Sequence, residues 1–316
     1  MQGGICPAPK ELFLTGKPNI CLMEKRIVAL GNGSDFAGKL ARNSGLRKVS
    51  YHVERFPDNE LHMRFKESVR GKQLFLVQSL SLQPNDALIE LVFAGRTAKE
   101  LGAKKVVGII PYLAYMRQDK RFKGGECISA KEMAWMLNNS LDALITIDPH
   151  LHRIRKLNQI FRIPAKNVSS VDAISGYVEK KFDAHNTLIV GPDWESFQWA
   201  RTVGKKAGMK SVIFLKQRFS SRRVKVHYKK DVGFSGKNII IIDDIISTGH
   251  TMIEAVKEIR KKKPKAIYCV CVHGILAENA LQKLKRAGAK QVISCNTVPG
   301  ITNKIDVSRA VAEEIK

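Results

Sequence analysis

Short apolar runs rich in Val, Ile and Leu recur along the chain, separated by stretches long enough to hold a helix. Several are apolar at successive rather than alternate positions, the pattern of strands buried on both faces of a parallel sheet. The first series predicts strands at Ile27 to Leu30, Val49 to Val53, Leu74 to Gln78, Val106 to Ile110 and Leu144 to Ile147. The second predicts them at Leu188 to Val190, Val212 to Leu215, Ile239 to Ile242, Ile267 to Val272 and Val292 to Cys295. Between them, segments such as Asp86 to Leu101 and Thr251 to Lys262 carry a helical period and supply the crossovers. The class is α/β.

The two series are related. Gly71 to Ser79 (GKQLFLVQS) aligns with Gly236 to Asp244 (GKNIIIIDD), and in each copy a helix follows, carrying Ile89-Glu90 or Ile253-Glu254. A repeat of this length is too long for a solenoid and indicates two similar domains in the 316 residues. The division is expected between Pro164 and Ser169, giving units 24–166 and 167–316. Residues 1–23, with Pro7, Pro9 and Pro18 and no periodicity, read as an extension with little fold of its own. That extension lacks the apolar core and cleavage pattern of a secretory signal.

Composition alters this picture at one point. Fifty-four Lys and Arg against 29 Asp and Glu give +25, a surface that attracts polyanions. The excess is spread along the chain, with clusters at Arg222 to Lys230 and Arg260 to Lys265 but no basic tail or helix-turn-helix module, so a nucleic-acid partner is not expected. No apolar run is long enough for a membrane helix. The six Cys, two of them on one face of a strand at Cys269 and Cys271, read as small buried hydrophobes of a reducing, cytoplasmic compartment.

Candidate chemistry concentrates where the copies diverge. Gln78-Ser79 of the first becomes Asp243-Asp244 of the second, followed by Ser247, Thr248, Gly249, His250 and Thr251. A parallel strand that delivers two carboxylates to its carboxyl edge, then a small polar turn and a helix, suits a phosphorylated sugar. Backbone N–H groups and the helix start take the phosphate, and the acids take hydroxyls or act through Mg²⁺. A competing glycine motif, Gly33 to Lys39, has the GxxxxGK spacing, but Leu40 stands where a phosphate loop needs Ser or Thr. It is read as a glycine turn opening a helix. His150 and His152 lack the Cys/His companions of a zinc site.

The segment Ile239 to Thr251 resembles the phosphoribosyl-diphosphate loop of type I phosphoribosyltransferases. FPDNE (Phe56 to Glu60), PYLAYMRQDKRF (Pro111 to Phe122), DPH (Asp148 to His150), GPD (Gly191 to Asp193), KQR (Lys216 to Arg218) and IDVSRAVAEEI (Ile305 to Ile315) follow in the order found in ribose-phosphate pyrophosphokinases. The resemblance covers about residues 24–316. It implies two phosphoribosyltransferase-like domains, each with a mainly parallel sheet flanked by helices, the last helix packing back on the first domain. The implied reaction moves the diphosphoryl group of ATP to the anomeric hydroxyl of ribose 5-phosphate, giving phosphoribosyl diphosphate and AMP for nucleotide biosynthesis.

By that resemblance Ser247 to Thr251, with Asp243, Asp244 and Arg218, hold ribose 5-phosphate, and Lys216 and Arg218 are catalytic. His150 and Asp193 hold Mg²⁺, and Arg117 and Gln118 meet ATP. Asp58, Asn59 and Glu60 reach the ATP of a neighbouring copy in a homo-oligomer. Departures are His250 in place of a Gly, Ser247 in place of an Asp, and Trp194-Glu195-Ser196 in place of small residues; Trp194 and Trp199 are expected to pack at the domain junction. The rival readings are an inactive relative that regulates an active partner and a phosphoribosyltransferase that consumes the diphosphate. Retention of Lys216, Arg218 and the paired acids argues against the first, and the duplicated domain against the second.

Overall fold

The computed structural model describes residues 23–316 apart from 152, 153, 155, 214, 221, 222 and 228–232, and describes residue 195 and the strands within 215–227 by backbone alone. Residues 1–22 of the 1–23 extension, His152 and the side chains of Lys216 and Arg218 thus lie outside the described structure.

The first unit runs β1 (Lys25–Ala29), α1 (Ser34–Ser44), β2 (Lys48–Val49), β3 (Tyr51–Arg55), β4 (Leu61–Phe65), β5 (Gln73–Val77) and α2 (Pro84–Glu100). It continues with β6 (Lys105–Ile110), α3 (Ser129–Asn138), β7 (Ala143–Ile147) and β8 (Ala165–Val168). The second begins with α4 (Val171–Lys181), β9 (Thr187–Gly191), α5 (Trp194–Lys206), β10 (Lys210–Ile213), β11 (Leu215–Ser220) and β12 (Arg223–His227). It ends with β13 (Asn238–Ile246), α6 (His250–Arg260), β14 (Ala266–Gly274), α7 (Ala280–Ala287), β15 (Gln291–Cys295), β16 (Asn303–Ile305) and α8 (Ser308–Ile315).

Each unit holds a six-stranded sheet, ordered β2-β1-β5-β6-β7-β8 and β10-β9-β13-β14-β15-β16, and every pairing within them is parallel. The two orders are the same, and in both a two-stranded antiparallel hairpin, β3-β4 or β11-β12, is inserted after the edge strand. The aligned segments form β5 and β13, the third strand of each sheet. The run expected as one strand at Val49 to Val53 is broken at Ser50. Val49 stays in the main sheet, while Tyr51–Arg55 turns out to pair with Leu61–Phe65.

The apolar runs are continuous because both faces of each sheet are covered. Phe75 and Val77 of β5, with Ile240 and Ile242 of β13, face one cluster; Leu74 and Leu76 face a second under α2 and α3, and Ile239 and Ile241 a third under α6 and α7. Each such side chain, when fully buried, contributes about 1.5–3 kcal/mol. The first cluster crosses between the units. It joins Ile27, Ile109 and Ile147 of the first sheet to Ile189, Val270 and Ile293 of the second, and α8 adds Val311 and Ile315. Helix α8 packs against α1, where Asn43 Nδ2 donates to Ser308 Oγ at 2.9 Å and Lys25 Nζ donates to the carbonyl of Ile315 at 2.9 Å.

Part of the positive charge has a local cause. Helices α4, α5, α6 and α7 all end in basic pairs: Lys180 and Lys181, Lys205 and Lys206, Lys257 and Arg260, Lys285 and Arg286. Cations in the last turn complement the negative end of the helix dipole.

Candidate functional site

In a parallel sheet the place where connections leave in opposite directions opens a crevice at the carboxyl edge. In the second unit this lies between β9 and β13. There the strands and the loops beyond them border a cleft of about 840 Å³. Asp193 follows β9, Asp243 and Asp244 lie near the end of β13, and Ser247 to Thr251 form the turn into α6; all line the cleft. From the first unit come Arg117, Asp148 and His150. The cleft therefore lies on the seam between the units.

The turn has the backbone geometry of an uncapped helix start. Gly249 has φ 73°, a left-handed conformation that glycine takes without steric cost, and it is the N-cap of α6 with no side-chain cap. The first N–H groups of a helix have no intrahelical acceptor, so they point into the cleft as donors. His250, the departure from a family Gly, is the first residue of α6, and its side chain is 78% exposed, with Nε2 3.3 Å from Glu254 Oε1.

The acids behind the turn are not alike. Asp244 Oδ2 is 2.5 Å from His150 Nδ1, a contact that crosses the domain seam. Burial pushes the Asp244 carboxyl up, but the bond and charge of His150 more than offset this and hold it below the usual range. Asp243 is pushed well above that range, first by burial and then by the negative charges of Asp244 and Asp193. Asp193 is the N-cap of α5, with Oδ1 accepting from Ser196 N at 2.9 Å and from Ser196 Oγ at 2.5 Å. Such mutual repulsion is relieved by a cation. Among the described residues no three His, Cys, Asp or Glu side chains stand close enough to ligate a metal together.

Other residues singled out from the sequence are dispersed. Gln118 does not line the cleft; its Oε1 accepts from Ser129 Oγ at 3.1 Å. Asp58, Asn59 and Glu60 form the exposed tip of the β3-β4 hairpin, with Asn59 at φ 71°, and they too are outside this cleft. Trp199 packs on the shared core and lines the cleft, whereas Trp194 is 62% exposed, so only the first of the pair helps fill the junction. Ser196, 3% exposed and bonded to Asp193, was singled out only as a departure from the family pattern. Its spacing three residues beyond an N-cap Asp is the signal that identifies its partner.

The equivalent crevice of the first unit borders a cavity of only about 220 Å³, and a carboxylate faces its glycine turn. Gln78, in the place of Asp243, is fully buried and donates to Glu90 Oε2 at 2.6 Å. Glu90 Oε1 accepts the Gly31 N–H at 3.1 Å, so the protein's own carboxylate occupies the glycine turn. Burial raises the Glu90 carboxyl above its usual range. The GxxxxGK spacing there serves packing.

Comparison with known proteins agrees with this geometry. The family described as the N-terminal domain of ribose phosphate pyrophosphokinase matches residues 25–140, and the phosphoribosyl transferase domain family matches residues 157–309. The ribose-phosphate pyrophosphokinase of Methanopyrus kandleri is 31% identical over 290 residues, covering 92% of this chain and 98% of the relative. That of Pyrococcus abyssi is 34% identical over 284 residues, covering 90% and 96%. The crystal structure of phosphoribosylpyrophosphate synthetase from Mycobacterium smegmatis superposes with a TM-score of 0.80 at 26% identity, over 92% of this chain and 97% of that one. With its twin parallel sheets, its acid-lined turn at the head of α6 and these relatives along nearly its whole length, the chain belongs to the ribose-phosphate pyrophosphokinase family.

Proposed function

We propose that the cleft binds ribose 5-phosphate against Ser247 to Thr251 and the triphosphate of ATP on the side of Arg117 and His150, and that the family reaction occurs between them. The 5-phosphate takes the N–H groups of the turn, and the hydroxyls of Ser247, Thr248 and Thr251 add donors. Asp243 accepts from the ribose hydroxyls, with Asp244 beside it tied to His150. The anomeric hydroxyl releases its proton to water, and its oxygen bonds to the β-phosphorus. The bond from that phosphorus to the oxygen bridging the α-phosphorus breaks, its electron pair stays on that oxygen, and AMP leaves. The protein positions the reactants and offsets negative charge, as phosphoryl-type transfer requires.

Mg²⁺ would supply charge neutralisation on the phosphates, held directly or through water by His150 and Asp193. Lys216 and Arg218 on β11 would cover the transferring group. Gln118, together with the exposed tip Asp58 to Glu60 from a neighbouring copy of a homo-oligomer, would complete the ATP site. Residues 24–166 thus form the ATP side and 167–316 the ribose side. No described helix is long and apolar enough to cross a membrane, and the proposed location is the cytoplasm.

The observation that carries the reading is the uncapped, glycine-led start of α6 beside Asp243 and Asp244, facing His150 across the seam. Incubation with ATP, Mg²⁺ and ribose 5-phosphate is expected to give a sugar diphosphate and AMP by phosphorus NMR. Release of ADP would reject the reading.

The exposed side chain of His250 carries a second expectation. His250→Gly should keep or modestly improve ribose 5-phosphate affinity, measured calorimetrically. A large loss of affinity would make His250 a phosphate ligand.

A further inference from the structure

His273 lies at the end of β14, 1% exposed, where the two units meet. Its Nε2 is 3.2 Å from the main-chain oxygen of Asp148 in the first unit. Its Nδ1 is 2.9 Å from Thr297 Oγ1 in its own unit, and the ring of Tyr112 packs against it with centroids 5.0 Å apart. Thr297 is itself tied to the first unit, since its carbonyl accepts from Ser79 Oγ at 2.7 Å.

The partners fix the protons. A carbonyl only accepts, so Nε2 carries the hydrogen. A neutral imidazole has one N–H, so Nδ1 accepts, and the single Thr297 hydroxyl hydrogen then goes to Nδ1 at 2.9 Å rather than to its other acceptor, the Val272 carbonyl at 2.8 Å. Burial lowers the basicity of His273 to about 4, in keeping with a neutral ring.

Asp148 is the reason this matters. It is a non-glycine residue at φ 36°, a conformation that costs about 1–3 kcal/mol and persists only where the surroundings impose it. Here its N–H donates to Asn167 Oδ1 at 2.8 Å, its carboxylate accepts the Ser170 N–H at 2.7 Å, and its carbonyl accepts from His273. Two residues on, His150 meets Asp244. Of the side chains that bind Asp148, His273 is the one contributed by the sheet that bears the phosphate turn.

We propose that His273 is a positioning residue of the transfer reaction: its Nε2–H holds the strained Asp148 turn so that His150 stays in register with Asp243 and Asp244 of the other unit. The proposal rests on the functional reading above, in which His150 serves the reacting phosphates. Misplacement by about 1 Å of a positioning group can cost on the order of a hundredfold in rate.

The test uses three variants. Gln places an amide N–H near the position of Nε2, and Asn places one near Nδ1. His273→Gln is expected to keep kcat within about threefold of the parent, while His273→Ala and His273→Asn lose on the order of ten- to a hundredfold, all with unchanged KM for ribose 5-phosphate. Equal loss in all three would mean packing alone, and no loss in any would mean no role; either overturns the proposal. Nitrogen NMR of the histidine-labelled parent protein is a readout independent of activity and of how the variants fold. The neutral Nε2–H tautomer at pH 7 is expected, and an Nδ1–H ring overturns the proposal. A parent protein that makes no sugar diphosphate would reject the functional reading instead, leaving the tautomer result to stand by itself.

Discussion

Lys216→Ala is expected to lower turnover by a hundredfold or more while ribose 5-phosphate binding stays within about twofold. The cost corresponds to about 3 kcal/mol, typical for removal of a preorganised group that meets developing charge. The placement of the strand supports this. Strand β10 runs parallel to β9 and ends at Ile213 opposite Gly191, on the edge that carries the cleft. The β11-β12 hairpin that bears Lys216 leaves the sheet from that edge. Negative charge shifts towards the departing oxygen during transfer, so a cation there would stabilise the transition state more than the bound sugar. Rapid-quench turnover and calorimetric binding on the same variant separate the two effects. Near-normal turnover would remove Lys216 from the mechanism.

Gly33→Ala is expected to damage the first unit far more than its single methyl group suggests. The backbone at Gly33 is ordinary, with φ −91° and ψ −7°, so conformation is not the obstacle. Space is: an added Cβ would stand 2.0 Å from the carbonyl oxygen of Val77, 2.5 Å from its carbon and 3.0 Å from the nitrogen of Gln78. These are main-chain atoms of the central strand region, held by Leu30 N donating to Val77 O at 3.0 Å and Gln78 N donating to Ile109 O at 3.0 Å. Relief requires parting α1 from the sheet or breaking those bonds, at about 3 kcal/mol or more. Melting followed by circular dichroism should fall by roughly 10 °C. Gly38→Ala in the same helix is the control, because the nearest atom to its added Cβ is Arg42 Nη1 at 4.0 Å. It should be neutral or stabilising by about 0.5–1 kcal/mol. Equal melting temperatures for the two variants would refute the close-approach argument.

The strands of the two main sheets were the most legible part of the chain, because burial on both faces leaves an unbroken apolar signature. The aligned GKQLFLVQS and GKNIIIIDD segments also fixed the duplication and the one place where the copies differ in charge. The hairpins were not legible. Leu61–Phe65 is too mixed to read as a strand, and Ser50, where β2 gives way to β3, carries no breaker signal. Strand β8, with the polar sequence AKNV, sits at a sheet edge where apolar pressure is weak. In the site, the acids and the turn that lines the cleft with them were readable because Asp after four isoleucines has no packing explanation. The contact of Asp244 with His150 was not, since it joins residues 94 positions apart through the docking of two units. His273 was invisible for the same reason: its partners Asp148 and Thr297 are brought to it by tertiary structure, and a lone His near the end of an apolar strand reads as core.

The apolar cluster that runs uninterrupted from Ile27 through Ile240 to Val311 has a consequence for how substrates are captured. Two units sharing one interior cannot swing apart as jaws, so the seam that brings His150 to Asp244 is assembled during folding. Substrate binding then spends little of its free energy on bringing the halves together, and more remains for orienting the sugar and the triphosphate.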